Sequence, residues 1–131
     1  WLLKSEPNTW SWQDQVKEGP SMWDGVRNYQ ARNNLMKMQN GDLCFFYHSV
    51  NEKSIVGIVR VVKEYYKDPT DKTGKFVVVD VKAIKKLKKA VTLEEIKKNS
   101  RLHEIALIKQ SRLSVMPLKK IEWDEILKMS K

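Results

Sequence analysis

The sequence contains a single cysteine, two histidines and only five glycines among its 131 residues. One cysteine cannot form an internal disulfide, and Cys44 lies in an apolar run where a small buried side chain is expected. His48 and His103, with no cysteine pair at ligand spacing, leave too few ligands for a structural zinc site. The few glycines form neither a phosphate-cradling loop nor a dinucleotide fingerprint. We therefore expect an intracellular protein that holds no metal and no cofactor.

Long apolar runs are also missing. The densest stretch, Ile55 to Val62, is interrupted by Gly57 and Arg60 and falls far short of the roughly 20 residues that cross a bilayer. A chain of this length buries roughly two-thirds of the surface that it exposes when unfolded. We expect one soluble, monomeric domain over residues 1–131 without membrane contact. Because the first residue is Trp1, we expect the natural chain to begin upstream, and no signal-peptide pattern is present.

Positive charge is abundant but uneven, with a formal net charge of +9. Residues 1–62 hold 7 basic and 6 acidic side chains, whereas residues 63–131 hold 18 and 10. Such an excess favours a polyanionic partner, because binding releases the counterions of that partner. Lysine outnumbers arginine 20 to 5, which is equally typical of a lysine-rich surface that only aids solubility. Charge alone leaves both interpretations open.

The pattern along the chain predicts an α+β domain around a small curved sheet. An S-x-x-D start at Ser11 and a T-x-x-E capping box at Thr92 each predict a helix. Breaker residues between Asp68 and Gly74 predict a hairpin loop. The predicted strands are 1–4, 43–47, 55–62, 76–81 and the extended segment 114–117, and the predicted helices are 11–19, 28–38, 92–99, 102–108 and one around 123–127.

The densest cluster of unusual residues runs from Trp23 to Asn34. It combines two guanidinium groups, three asparagines, an indole and a phenol within twelve positions. Aromatic faces stack on bases, amides read base edges, and arginine binds phosphate in bidentate fashion. The structural alternative is a buried Trp23 and Tyr29 with asparagine caps around an irregular turn. Composition does not decide between the two.

Three smaller clusters of polar residues flank apolar runs, at residues 4–7, 47–49 and 110–114. Functional sites are often placed at such strand ends, although His48 taken alone is more typical of a structural histidine. The lysine run from Lys82 to Lys89 is expected to place Ile84 and Leu87 inward. Such a run is usually a solvated face, and contact with phosphates is the alternative.

Catalytic motifs are absent. The sequence has no G-x-S-x-G elbow, no H-E-x-x-H helix and no phosphate-binding glycine loop. A hydrolytic site using His48 as base with Asp24 or Ser49 is possible in composition, but no spacing indicates it. We expect a protein that is not an enzyme.

Together these clusters resemble the EVE domain family over nearly the whole chain. The matching segments are residues 1–7, 23–33, 41–42 with 45–49, 56–58, 68–70, and 111–115 before Pro117. The chain departs from the family at Phe76, where tryptophan is common, and at Met36, where arginine is common. Motifs of this length in this order are highly specific.

The resemblance implies a PUA-like fold, a strongly curved and partly closed mixed β-barrel flanked by short helices and related to YTH, ASCH and PUA modules. It also implies a non-catalytic nucleic-acid-binding reader that accommodates a flipped, modified (for example methylated) base of DNA or RNA in an aromatic-lined pocket. The residues carried over to that pocket are Lys4, Ser5, Trp23, Val26, Arg27, Asn28, Tyr29, Arg32, Asn33, Tyr47, His48, Ser49, Ser111, Arg112, Leu113 and Ser114.

In this hypothesis Trp23 supplies the stacking surface and Tyr29 and Tyr47 complete the wall. Polar contacts to the base come from Asn28, Asn33 and Ser49, and flanking phosphates are held by Lys4, Arg27, Arg32 and Arg112. The rivals are an enzyme acting on nucleic acid or nucleotides through His48, and a module that binds a protein or small molecule. The location would be the cytoplasm of a bacterium or the nucleus of a eukaryote.

Overall fold

A computed structural model describes all residues, Trp1 to Lys131. The strands are β1 (Leu2–Ser5), β2 (Ser21–Met22), β3 (Leu43–His48), β4 (Ser54–Lys67), β5 (Val77–Thr92) and β6 (Val115–Met116). The helices are α1 (Trp12–Glu18), α2 (Tyr29–Lys37), α3 (Leu93–Lys98), α4 (Ala106–Lys109) and α5 (Lys120–Met129), with a 3-10 turn at Ser100–Leu102. None of these helices is long and apolar enough to cross a membrane.

All six strands form one mixed sheet in the order β2-β5-β4-β3-β1-β6. Strands β1 and β3 are parallel, and the remaining neighbours are antiparallel. Four register shifts interrupt the long β4–β5 pairing, and such bulges increase twist and bend a sheet. The sheet therefore curls into a half-barrel, as the predicted fold class requires.

The core packs against this sheet, and its largest fully buried residues include Phe45 and Phe46 of β3. The ring of Trp12, the first residue of α1, meets Phe46 edge to face at 5.4 Å between centroids. Gly57 of β4 lies directly under that indole, where a Cβ atom would come within 2.5 Å of the ring. Helix α1 is thereby held against the sheet at one fixed position.

Two sequence predictions about β5 are wrong. The strand was expected to end at Val81 but continues through the lysine run to Thr92. Leu87 is buried, whereas Ile84 is 44% exposed, so the two do not share the inward face. Adjacent residues of a strand point to opposite faces, and positions 84 and 87 differ by an odd number of residues.

The starts of three helices follow the sequence pattern closely, whereas two other elements differ from it. Ser11 and Asp14 form the predicted capping box of α1, Asn28 caps α2, and Thr92 with Glu95 forms the box of α3. The predicted helix over 102–108 is instead a 3-10 turn followed by the four-residue α4. The two-residue β2 has no counterpart among the predicted strands, because two residues carry no periodicity.

Candidate functional site

A groove of about 840 Å³ opens beside the end of β1. Its walls come from the segment after β1, from β2 and the segment that follows it, and from the turn before β6. It is lined by Lys4, Ser5, Glu6, Thr9, Trp10, Glu18, Ser21, Met22, Trp23, Asp24, Gly25, Val26, Arg27 and Ser114. Only four of these fourteen residues are hydrophobic, so the groove combines a small apolar surface with many polar groups.

Two tryptophans stand in the groove wall with different exposure. Trp23 is only 7% exposed and meets Phe46 edge to face at 5.5 Å between centroids. Its main-chain N–H donates to the carbonyl of Val79 at 2.8 Å, which fixes the start of the segment after β2. Trp10 is half-buried, and its Nε1 donates to Oε1 of Gln15 at 3.0 Å. Trp23 therefore anchors the wall to the core, and Trp10 offers more ring surface to a ligand.

The end of β1 places an amine and a hydroxyl at the groove. Lys4 Nζ donates to the carbonyl of Ser111 at 2.6 Å and lies 5.9 Å from the ring centre of Tyr47. Burial lowers the pKa of Lys4 below its usual value, because a low dielectric disfavours the ammonium form. Ser5 Oγ donates to the carbonyl of Trp10. Both side chains thus join β1 to its flanking segments.

The groove carries no positive excess of its own. Two cationic side chains, Lys4 and Arg27, face three carboxylates, Glu6, Glu18 and Asp24. Carboxylate oxygens are acceptors, and in nucleic-acid recognition they pair with exocyclic amino groups such as N4 of cytosine. The lining is therefore better suited to a base edge than to a phosphate backbone.

Asp68, the residue directly after β4, holds the segment after β2 in place. Its side chain is 0% exposed and accepts hydrogen bonds from Gly25 N and Arg27 Nη1, each at 3.0 Å. It also accepts from the main-chain N–H and the hydroxyl of Thr70 at 2.7 and 2.6 Å. Burial works to raise the pKa of Asp68, but the bonds from Thr70, Arg27 and Gly25 outweigh it and hold the pKa below its usual value. The groove wall is thus tied to the β4–β5 hairpin by a buried carboxylate.

A layered stack continues this connection toward α2. Tyr29 stacks on Phe76 with 5.2 Å between ring centroids. The guanidinium of Arg27 lies 5.5 Å from the Phe76 ring centre, and that of Arg32 lies 4.9 Å from the Tyr29 ring centre. Phe76 therefore has an aromatic stacking role in this structure. Arg27 and Arg32 are largely engaged within the protein, since Arg32 also donates to Lys75 O at 3.2 Å.

Three sequence-predicted residues at the end of β3 lie outside the groove lining. Tyr47 is 2% exposed, and burial raises its pKa to about 12. His48 is 5% exposed, its Nε2 accepts from the Trp12 N–H at 3.0 Å, and its Nδ1 lies 3.3 Å from Glu52 Oε2. Ser49 Oγ donates to the carbonyl of Ser5 at 3.2 Å. These contacts engage both ring nitrogens of His48 and the hydroxyl of Ser49, which are the atoms that a catalytic role would use.

The remaining predicted residues divide between support and surface. Asn28 Oδ1 caps α2 through the Ala31 N–H at 2.9 Å, and Asn33 Oδ1 accepts from Arg32. Leu113 is 3% exposed. Six of the sixteen predicted residues line the groove together, and they are Lys4, Ser5, Trp23, Val26, Arg27 and Ser114. Ten lie outside its lining, namely Asn28, Tyr29, Arg32, Asn33, Tyr47, His48, Ser49, Ser111, Arg112 and Leu113.

The groove also contains residues that sequence reasoning did not assign to it. The most important is Trp10, with Thr9, Glu18 and Met22 beside it. A tryptophan between a strand end and a capped helix start was a usable signal, because an aromatic residue in such a loop is placed at a sheet edge. No group of three metal-ligating side chains is brought together.

Comparison with known proteins identifies the family. The EVE domain model matches residues 1–129. The chain belongs to the EVE domain family. Thymocyte nuclear protein 1 of Gallus gallus is 37% identical, over 98% of this chain and 67% of that protein. The predicted family membership is therefore confirmed.

Solved structures of EVE relatives share the fold closely. The NMR structure of Rpa0253 from Rhodopseudomonas palustris is 50% identical, with a TM-score of 0.94 over 99% of this chain and 91% of that chain. Human THYN1, solved in complex with DNA containing 5-methylcytosine, is 33% identical, with a TM-score of 0.87 over 100% of this chain and 96% of that chain. The predicted PUA-like fold is confirmed by this agreement.

Proposed function

We propose that this EVE domain is a non-catalytic reader of DNA that carries a modified cytosine, with the flipped base held in the groove beside β1. The observation that carries the proposal is a groove that combines tryptophan surface with carboxylates. The relative solved with 5-methylcytosine DNA supports the choice of base and of DNA over RNA. An intracellular location and a monomeric state belong to the same proposal.

The groove offers an extruded cytosine a stacking surface and acceptors for its exocyclic amino group. Trp10 offers a ring face, and stacking contributes about 1–3 kcal/mol per base. Glu6, Glu18 or Asp24 accepts a hydrogen bond from N4 of the base, which thymine cannot donate. Stacking together with these bonds offsets a flipping cost of a few kcal/mol.

The apolar part of the lining is where the methyl group is recognised. Met22 is 38% exposed and Val26 is 6% exposed at the groove. One methyl-sized group in an apolar pocket changes binding by about tenfold to hundredfold. We therefore expect a preference for methylated over unmodified cytosine within that range, and not absolute discrimination.

Absence of catalysis is part of the proposal and rests on His48. Both of its ring nitrogens lie near protein groups, Trp12 N and Glu52 Oε2, so it has no ring atom available for a substrate proton. Mass spectrometry of a methylated oligonucleotide after incubation with the protein should show no product. A product that the His48→Ala substitution abolishes would favour an enzyme instead.

The test of base recognition is Trp10→Ala. Fluorescence anisotropy would compare a duplex containing one 5-methylcytosine with its unmodified counterpart and with an RNA of the same sequence. Loss of the Trp10 ring should weaken binding of the methylated duplex by about fivefold to hundredfold, as one lost stacking contact implies. Tyr65→Ala is the control, since Tyr65 is 47% exposed on β4 and outside the groove lining. Equal affinity of wild type and Trp10→Ala for every probe would contradict the proposal.

A further inference from the structure

The groove cannot by itself hold a polyanionic backbone. Its lining contains more carboxylates than cations, and the charge of Arg27 is already paired with Asp68 at 3.0 Å. The chain as a whole nevertheless carries a net charge of +9, concentrated after residue 62. DNA affinity depends largely on phosphates neutralised by lysine and arginine. A phosphate-binding surface must therefore lie outside the groove.

The β5 strand presents such a surface, which we call the basic edge, formed by Lys82, Lys85, Lys86 and Lys88. Lys85 and Lys86 are consecutive in the strand and point to opposite faces of the sheet, so the basic edge carries lysine on both sides of β5. All four side chains are exposed, and no carboxylate lies within 4.0 Å of any of their ammonium groups. On the outer side of β5, strand β2 pairs only with Asp80 and Val81. The part of β5 that carries these lysines is therefore an open edge of the sheet.

Edge protection does not explain the whole pattern. Lysine on an edge strand discourages pairing with other chains. That role does not require a basic residue on the neighbouring strand. Arg60 of β4 is nevertheless placed directly opposite Lys82, and both are exposed. Like charges directly opposite each other destabilise an antiparallel pair. A bound anion would remove that repulsion.

The basic edge is continuous with the groove. Ser21 and Met22 line the groove and pair with Val81 and Asp80 of β5, so Lys82 follows directly after the strand pair that forms the groove wall. The seven residues from Lys82 to Lys88 are separated by six steps along the strand, which span about 20 Å at the usual rise of a strand. That length corresponds to about six base pairs at 3.4 Å each.

We propose that the basic edge is a second nucleic-acid contact, which binds the phosphate backbone of the duplex on one side of the base held in the groove. This inference rests on the proposed function. It assigns the two parts of recognition to two surfaces: the groove discriminates between bases, and the basic edge provides affinity that does not depend on the modification.

The test is a variant in which all four lysines of the basic edge are changed to glutamine. Its matched control removes four charges elsewhere, through Lys37→Gln, Lys97→Gln, Lys120→Gln and Lys128→Gln, all exposed positions without a side-chain hydrogen bond. Dissociation constants for a methylated duplex of about 18 base pairs would be measured between about 50 and 200 mM salt, the range in which phosphate contacts dominate the change. Unchanged thermal melting confirms that both variants are folded.

The basic-edge variant should lose about one unit of salt dependence for each phosphate contact removed, and so up to about three or four units in the slope of log Kd against log salt. Its preference for methylated over unmodified DNA should stay that of the wild type. The control should keep a slope within about one unit of wild type. A basic-edge variant with the slope of the control would overturn the inference.

Duplex length separates this inference from the proposed function. Extending the DNA from about three to about nine base pairs on each side of the methylated base should strengthen wild-type binding and change the basic-edge variant much less. Equal gains for both proteins would overturn the inference while leaving the groove as the base site. If the wild type binds methylated and unmodified DNA equally well, the proposed function is overturned, whatever the slopes of log Kd against log salt show.

Discussion

Asp68 is the residue whose removal should affect both stability and the groove. It is a buried carboxylate that accepts four hydrogen bonds, two of them from Gly25 and Arg27 in the groove wall. Asp68→Asn keeps the volume of the side chain but places an amide donor against donors. We expect the free energy of unfolding to fall by about 1.5–3 kcal/mol, as for a lost hydrogen bond to a charged group. Affinity for the methylated duplex should fall as well, because the wall loses its support.

The effect of Asp68→Asn should depend on pH in one direction. The pKa of Asp68 is lower in the folded than in the unfolded protein, so its contribution is present above an unfolded pKa of about 3.9 and is lost as pH falls through the folded pKa. Guanidinium unfolding should give a wild-type advantage that is constant between about pH 5 and 7 and shrinks below about pH 4. Asp124→Asn, at an exposed position, is the control. An advantage that grows on acidification would contradict the assignment.

Single residues also mark where sequence reasoning succeeded and failed. Trp23, Val26 and Arg27 of the Trp23 to Asn34 cluster line the groove, yet Asn34 donates to Val115 O at 2.7 Å and Trp23 is mostly buried. Composition cannot separate a residue that contacts a ligand from one that positions the contact. Gly57 lies in the matching segment 56–58, but the reason that it must be glycine could not be read there, because that need comes from Trp12, 45 positions away in the chain.

Helix starts that are determined by neighbouring residues in the sequence could be predicted. Capping boxes act within four residues, so the starts of α1 and α3 could be read from the sequence. The true length of β5 could not be read, because a strand with one buried face and an open edge admits lysine at most positions. The short β2 depends on its pairing with β5 at Asp80 and Val81, which is a tertiary contact.

The junction between β5 and α3 gives a test at this scale. Thr92 ends β5, and its hydroxyl accepts from the Glu95 N–H at 3.1 Å while the Glu95 carboxylate accepts from the Thr92 N–H at 3.1 Å. Thr92→Ala should lower the free energy of unfolding by about 1 kcal/mol, the usual cost of losing an N-cap. Denaturant unfolding would be compared with Ser100→Ala, an exposed serine without a side-chain hydrogen bond. Identical midpoints for Thr92→Ala and the control would show that the cap contributes nothing.

At the scale of the whole molecule, the groove and the exposed lysines of β5 form two different surfaces. The groove lies beside the end of β1 and is rich in carboxylates, whereas the unpaired lysines lie within β5. Net charge left both an anionic partner and a merely solubilising surface open, and it located no binding surface, because a sum over the sequence contains no geometry. Of the sixteen residues predicted from the family motifs, six line the groove and ten do not. Which of those residues face a ligand depended on packing that only the folded chain defines.

The central claim is that a modified cytosine leaves the duplex and enters the groove. The most direct measurement is a crystal structure of the protein with a duplex containing one 5-methylcytosine. The account predicts that base against Trp10, with its N4 amino group within about 3.2 Å of a carboxylate among Glu6, Glu18 and Asp24. A complex in which the methylated base stays stacked in the duplex and the groove holds no base would contradict the account.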